Sequence, residues 1–230
     1  MKVLLNNEIA KQFEEKTGMN VIPLPSYQKL DHPVSAHADM LFCVLDNKIF
    51  CYEDYIKESG IYDVLKHFDY DIVFISNVCR KEYPYDISLN VLIVGKIIFC
   101  NKKHTSIEIL KYAEKNGYTI INVNQGYSAC STLVLNEDNI ITSDPSIFKA
   151  ATEIGKKVLL VDNSNIKLNG YNCGFIGGAT GVIGNKIYFF GDYRKLSYSD
   201  KIEKIACSLG FEIITILPGG VFDFGGIKLL

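Results

Sequence analysis

Near-repetition is the feature of this 230-residue chain that most restricts what it can fold into. Five segments, at positions 8–17, 53–68, 106–116, 145–154 and 200–209, have helical patterning. Each runs into an apolar strand pattern, at 19–24, 71–75, 118–123, 157–161 and 211–217 respectively. Four of the helical segments meet a glycine before the strand: Gly18, Gly117, Gly155 and Gly210. Glycine accepts the left-handed conformation that ends a helix, so one stop signal recurs four times. A two-stranded ribbon with a polar or glycine turn precedes each of the last four helices. Its clearest copies are Asn47-Lys48-Ile49-Phe50 and Asn185-Lys186-Ile187-Tyr188. Turn residues between apolar runs indicate hairpins. The pattern predicts an α/β chain of strand–strand–helix–strand units.

One unit is split. Only Lys2-Val3-Leu4-Leu5 precedes the first helix, while the run 221–230 is a strand with no helix after it. Joined, the two ends make the missing fifth unit, and such a closure removes loose sheet edges in radial folds. Asp39, Asn90, Ser131, Gly178 and Gly225 then mark equivalent tips, 51, 41, 47 and 47 residues apart, with 44 through the termini. The expected architecture is a five-fold pseudosymmetric α/β propeller closed by its N- and C-terminal strands, in one domain spanning 1–230. An ordinary doubly wound α/β sheet would account for the alternation of helix and strand but not for the split unit.

Composition narrows the function classes. Hydrophobic residues at 48% and charged residues at 22% suit a chain that buries a core,. A net charge of −2 gives no footprint for nucleic acid or an anionic membrane,. The apolar run at the N-terminus is too short for a signal peptide, and no stretch reaches the length of a membrane helix. Seven cysteines without a CxxC pair or a Cys/His ladder argue against a disulfide scaffold and a zinc site,. A cytoplasmic location, no metal and no organic cofactor are expected, since phosphate-loop and dinucleotide fingerprints are missing too.

Three tips are chemically rich. In Ser35-Ala36-His37-Ala38-Asp39, a strand would point His37 and Asp39 to one side, placing a base and a carboxylate together,. Cys130 stands at a strand entry among small residues, where His37 could activate its thiol,. Glycines surround Asp223 in Gly219-Gly220-Val221-Phe222-Asp223-Phe224-Gly225-Gly226, and a tight backbone would present its carboxylate,. Each segment by itself also fits a plain turn or an inert buried cysteine.

Taken together, these segments resemble the pentein fold of guanidino-group-modifying enzymes, which include arginine deiminases, dimethylarginine dimethylaminohydrolases and amidinotransferases. His37-Ala38-Asp39-Met40-Leu41-Phe42 is similar to the His-x-Asp motif, Gly126-Tyr127-Ser128-Ala129-Cys130-Ser131 to the glycine-led cysteine segment, and Asp223-Phe224-Gly225-Gly226 to the acid–double-glycine segment. The run from Phe175 to Asn185 resembles the segment that holds a further substrate-binding aspartate. The tips keep the family's circular order with the chain opened elsewhere, so the sequence is identified as a circularly permuted, bacterial member. The resemblance implies a nucleophilic Cys130, a general acid/base His37, and Asp39 and Asp223 holding a small guanidino or amidino substrate. It leaves hydrolase versus amidinotransferase and the oligomeric state open. Gly178 replaces the family's first guanidinium-binding aspartate, and no acid lies between Gly170 and Tyr188. A vacant, less negative subsite at Gly178 is therefore expected. It would favour a substrate with an anionic or bulky tail over arginine, with Gly178→Asp restoring the missing charge. The alternative is a non-catalytic binding module, as in the pentein-fold translation factor that keeps ribosomal subunits apart.

Overall fold

The computed structural model describes residues 2–230. Among them the strands form five three-stranded sheets and one two-stranded sheet. A single large doubly wound sheet is not formed. Four three-stranded sheets are continuous in sequence: Phe42–Leu45, Lys48–Cys51 and Asp71–Phe74; Leu92–Val94, Ile97–Cys100 and Thr119–Asn122; Thr132–Val134, Asn139–Thr142 and Lys157–Leu160; Thr180–Ile183, Lys186–Phe189 and Glu212–Thr215. In every one the middle strand pairs antiparallel with the first and parallel with the last. The antiparallel step is a hairpin, and the parallel step needs a crossover, which a helix supplies.

The fifth sheet joins both ends of the chain. Val3–Asn6 pairs parallel with Val21–Leu24 across the helix Asn7–Thr17 and antiparallel with Lys228–Leu229, in the register Val3↔Leu229 and Leu4↔Lys228. Reciprocal bonds between Lys2 and Leu230, at 2.8 and 2.9 Å, extend the pairing. The split unit is therefore completed by the terminal strands as expected, although Met1 lies outside the described residues. The run 221–230 is nevertheless not one strand. Val221–Phe222 pairs instead with Ile166–Lys167. Gly225 and Gly226, with φ of +80° and +65°, break the run between the two pairings,.

The helices show why the units look alike. Ile109 and Ala113, Ile147 and Ala151, and Ile202 and Ala206 are buried pairs four residues apart on three different helices. Residues at that spacing share one face, and the small alanine lets the helix approach its sheet closely. The second helix departs from the expected 53–68. It stops at Ser59, where Gly60 takes φ +70° as the C-cap, and resumes as Tyr62–Leu65. No helix among the described residues is long and apolar enough to cross a membrane.

Candidate active site

The loops that feed the sheets meet at one place. Asn90 Nδ2 donates to the Asp39 carbonyl at 3.2 Å, while its Oδ1 accepts from the backbone N–H groups of Ala129 and Cys130 at 2.8 and 3.3 Å. The Cys130 carbonyl accepts from Gly178 N, the Gly178 carbonyl from Gly226 N, and the Gly225 carbonyl from Asp39 N. These bonds make a circuit through Asp39, Asn90, Cys130, Gly178 and the Gly225–Gly226 pair, at or next to the positions that the sequence spacing marked. Backbones approach too closely there for side chains. A Cβ on Gly177 would lie 2.3 Å from the Ala129 carbonyl oxygen, and one on Gly225 would lie 2.3 Å from His37 Cβ.

Beside the junction is a cavity of about 260 Å³ lined by His37, Cys130 and Asp223. His37 is buried and caps the short helix Ala38–Leu41 through its backbone. Its Nδ1 lies 3.7 Å from Asp223 Oδ1, and its Nε2 has no hydrogen-bond partner. Both oxygens of Asp223 are held by backbone donors, Oδ1 by Gly225 N at 2.9 Å and Oδ2 by Phe175 N at 2.8 Å. Cys130 Sγ accepts from Asn90 Nδ2 at 2.9 Å. Base, carboxylate and thiol thus come together from three distant parts of the chain.

Two expectations about neighbouring residues fail. His37 and Asp39 do not alternate on a strand, because the backbone is helical from Ala38 to Leu41. Asp39 lines a second cavity of about 220 Å³, with Lys228, while its carboxylate stays in side-chain hydrogen-bond contact with the Cys130 thiol. Nor does Gly178 leave a vacancy. It lines neither cavity, and a Cβ there would lie 2.0 Å from Asp223 Oδ1 and 2.5 Å from Asp223 Cγ. The Asp223 carboxylate itself fills the space that a side chain at 178 would need. An anionic tail also lacks a partner, since no lysine or arginine lines the cavity. Among the described residues, no group of three or more His, Cys, Asp or Glu side chains could hold a metal ion.

A family model, Family of unknown function (DUF6873), matches residues 4–228. The chain belongs to DUF6873. No curated protein matches it. Solved structures extend the likeness well beyond the family. A mutant dimethylarginine dimethylaminohydrolase from Pseudomonas aeruginosa, complexed with citrulline, superposes with TM-score 0.58 at 10% identity, covering 98% of this chain and 95% of its own. An agmatine deiminase from C. jejuni gives 0.57 at 10%, covering 94% and 87%. SxtG, an amidinotransferase from Microseira wollei, gives 0.56 at 13%, covering 89% and 72%. At such identities the likeness is one of fold: the DUF6873 chain shares the pentein fold of guanidino-modifying enzymes.

The electrostatics of the DUF6873 cavity follow from burial. Removal from water lowers the His37 pKa to about 3 and raises Asp223, further pressed by the Asp39 charge, to about 7,. Cys130 is pushed well above the usual thiol range by burial, then by the charges of Asp39 and Asp223. Burial and the neighbouring carboxylates therefore favour the thiol over the thiolate at Cys130. At 4% exposure it is also poorly accessible, whereas Cys207 is exposed and Cys173 half-buried at the cavity. Iodoacetamide at neutral pH should label Cys207 first and Cys173 next, with Cys130 protected. Peptide mapping that finds Cys130 alkylated ahead of Cys207 would contradict this order.

Asp39 supplies a stability prediction. Burial raises its pKa from 3.8 to about 6, and its Oδ1 has no hydrogen-bond partner. A carboxyl whose folded pKa is raised favours the folded state below its ordinary value and loses that contribution as pH climbs through about 6,. At pH 8 the buried charge is therefore a cost, and Asp39→Asn should raise stability by about 1–3 kcal/mol. The gain should shrink at pH 5, where the wild-type carboxyl is largely protonated. Thermal melts of both proteins at the two pH values check this, and a stability gap that stays constant with pH would sink it.

Sequence reasoning missed Asn90, which it treated as the tip of a plain unit. The signal was present: one amide amid Leu89, Val91 and Leu92, all buried with it. A buried polar side chain in an apolar run must find hydrogen-bond partners, and here they are the thiol and the backbone that present the nucleophile candidate,.

Proposed function

We propose that this DUF6873 protein is a cysteine-dependent enzyme acting on a small guanidino or amidino compound, as amidine hydrolase or amidinotransferase. The observation that carries this reading is the convergence of Cys130, His37 and Asp223 on one cavity. The architecture that goes with it is a single-domain, five-fold pseudosymmetric propeller. The circuit of tip-to-tip hydrogen bonds and the pairing of the terminal strands support that closure. The chemistry requires neither metal nor organic cofactor, and the setting is a reducing cytoplasm.

The chemistry starts from charge. Asp223 binds the guanidinium, and the substrate cation offsets the negative charges that hold the Cys130 thiol protonated. Neutral His37 takes the thiol proton, and Cys130 Sγ forms a bond to the central carbon of the substrate. His37 returns the proton to the leaving amine as the carbon–nitrogen bond breaks, leaving a thiouronium intermediate. Water, deprotonated by His37, then adds to the carbon, the bond to sulfur breaks, and the proton restores the thiol. An acceptor amine in place of water gives amidine transfer. Asp39 acts beside the Cys130 thiol, by its charge, and Gly178 by leaving room for the Asp223 carboxylate.

A second reading has one observation in its favour. No cation lines the cavity to stabilise a thiolate, as suits a binding module without catalysis. Product assays for ureido compound and free amine, run across guanidino compounds with wild type and Cys130→Ala, separate the two. Wild-type turnover lost in the variant supports the enzyme. Turnover that survives in Cys130→Ala removes the covalent mechanism, and binding without turnover in wild type establishes the binding module.

A further inference from the structure

Beyond the reactive floor, the cavity is a non-cationic, mostly apolar space. Its walls include Val34, Met40, Leu168 and Phe175, together with the half-buried Tyr127 and the exposed Tyr171. The aromatic rings make a continuous surface: Tyr127 and Phe175 have centroids 6.0 Å apart, and Tyr83 backs Tyr127 at 5.7 Å. Both tyrosine hydroxyls are already committed to carboxylates. Tyr127 donates to Asp86 Oδ2 at 2.6 Å, and Tyr171 donates to Asp31 Oδ2 at 2.9 Å. The rings therefore offer the cavity carbon surface, while two acids stand behind them.

A ligand carboxylate entering this space would lose water without gaining a cationic partner, and would face Asp223 inside, with Asp86 and Asp31 behind the tyrosine rings. Burying an unpaired charge is strongly unfavourable, and like charges add to the cost. A flat apolar group would instead displace water from aromatic faces, which is favourable. Resting on the guanidino-site reading above, we infer that the ligand is an aryl- or arylalkyl-guanidine or amidine without a carboxylate. Its cationic head meets Asp223, and its apolar tail packs against Phe175, Tyr127 and Tyr171. The carboxylate of an α-amino acid such as arginine is disfavoured by the same acids.

The test is calorimetric binding of benzylguanidine, methylguanidine, agmatine and arginine to wild type and to Cys130→Ala, which removes turnover. Agmatine and arginine differ only by the carboxylate. Benzylguanidine should bind at least about tenfold more tightly than methylguanidine, and agmatine at least about tenfold more tightly than arginine. Phe175→Ala should cost benzylguanidine about tenfold in affinity while leaving methylguanidine within about twofold. Asp31→Asn should narrow the gap between agmatine and arginine. Arginine binding as tightly as agmatine, or benzylguanidine no better than methylguanidine, overturns the inference and leaves the guanidino site standing. If no guanidine binds either protein, both that site and this inference fall.

Discussion

Cys130→Ala is expected to lower turnover of any guanidino substrate by a factor on the order of 10⁴–10⁶, the size of loss seen when a nucleophile is removed from a cooperating set. Its stability should change little by comparison, by about 1 kcal/mol. The thiol accepts a hydrogen bond from Asn90 Nδ2, a donor that keeps the Asp39 carbonyl at 3.2 Å as a partner, and it also meets the Asp39 carboxyl; loss of that contact sets the expected cost. The Asn90 Oδ1 contacts to the backbone of Ala129 and Cys130 do not involve the side chain that is removed. Loss of turnover with unchanged melting and retained ligand affinity is then a chemical effect. Mass spectrometry of wild type quenched during turnover should show an adduct on Cys130, and its absence throughout a productive time course would argue against the covalent route.

Gly178→Ala is expected to destabilise the fold by on the order of 3–5 kcal/mol, or about 10 °C in Tm for a chain of this length. The new Cβ would lie 2.0 Å from Asp223 Oδ1 and 2.7 Å from Oδ2. The carboxylate cannot swing away cheaply, since Phe175 N and Gly225 N hold its two oxygens at 2.8 and 2.9 Å. Moving it would leave buried backbone donors unpaired. Gly178→Asp should be worse, because a second carboxylate would be forced against Asp223, a group whose ionisation is already opposed by burial and by Asp39. Thermal melting and arginine turnover of both variants give the answer. A Gly178→Asp protein that melts with wild type and turns over arginine faster would restore the idea of a vacant subsite.

Much of the fold was legible along the chain because its signals are local. Apolar runs of strand length, the near-copied turns at Asn47 and Asn185, and the glycines after the helices act within a few residues of themselves. The helix-stopping glycines do adopt left-handed backbone, with φ of +69° at Gly18 and +75° at Gly210. The regular spacing also led to, or next to, the residues that the hydrogen-bond circuit joins. It could reveal the incomplete first unit, since a missing strand is a gap in a pattern.

Tertiary structure decided what each tip does. Alternation placed His37 beside Asp39 on a strand, but the short helix Ala38–Leu41 turns the backbone there, so Asp39 faces a second cavity and the Cys130 thiol. A glycine at 178 read as an empty position, yet emptiness depends on what packs against it. Asp223, 45 positions further along the chain, fills that space. Likewise, Cys130 among small residues looked open, whereas it is buried beside two carboxylates that favour its thiol form. Periodicity specifies elements because a residue's direction along a strand or helix is a local property. Burial, charge and free space are sums over residues from all five units, so only their meeting in three dimensions sets them.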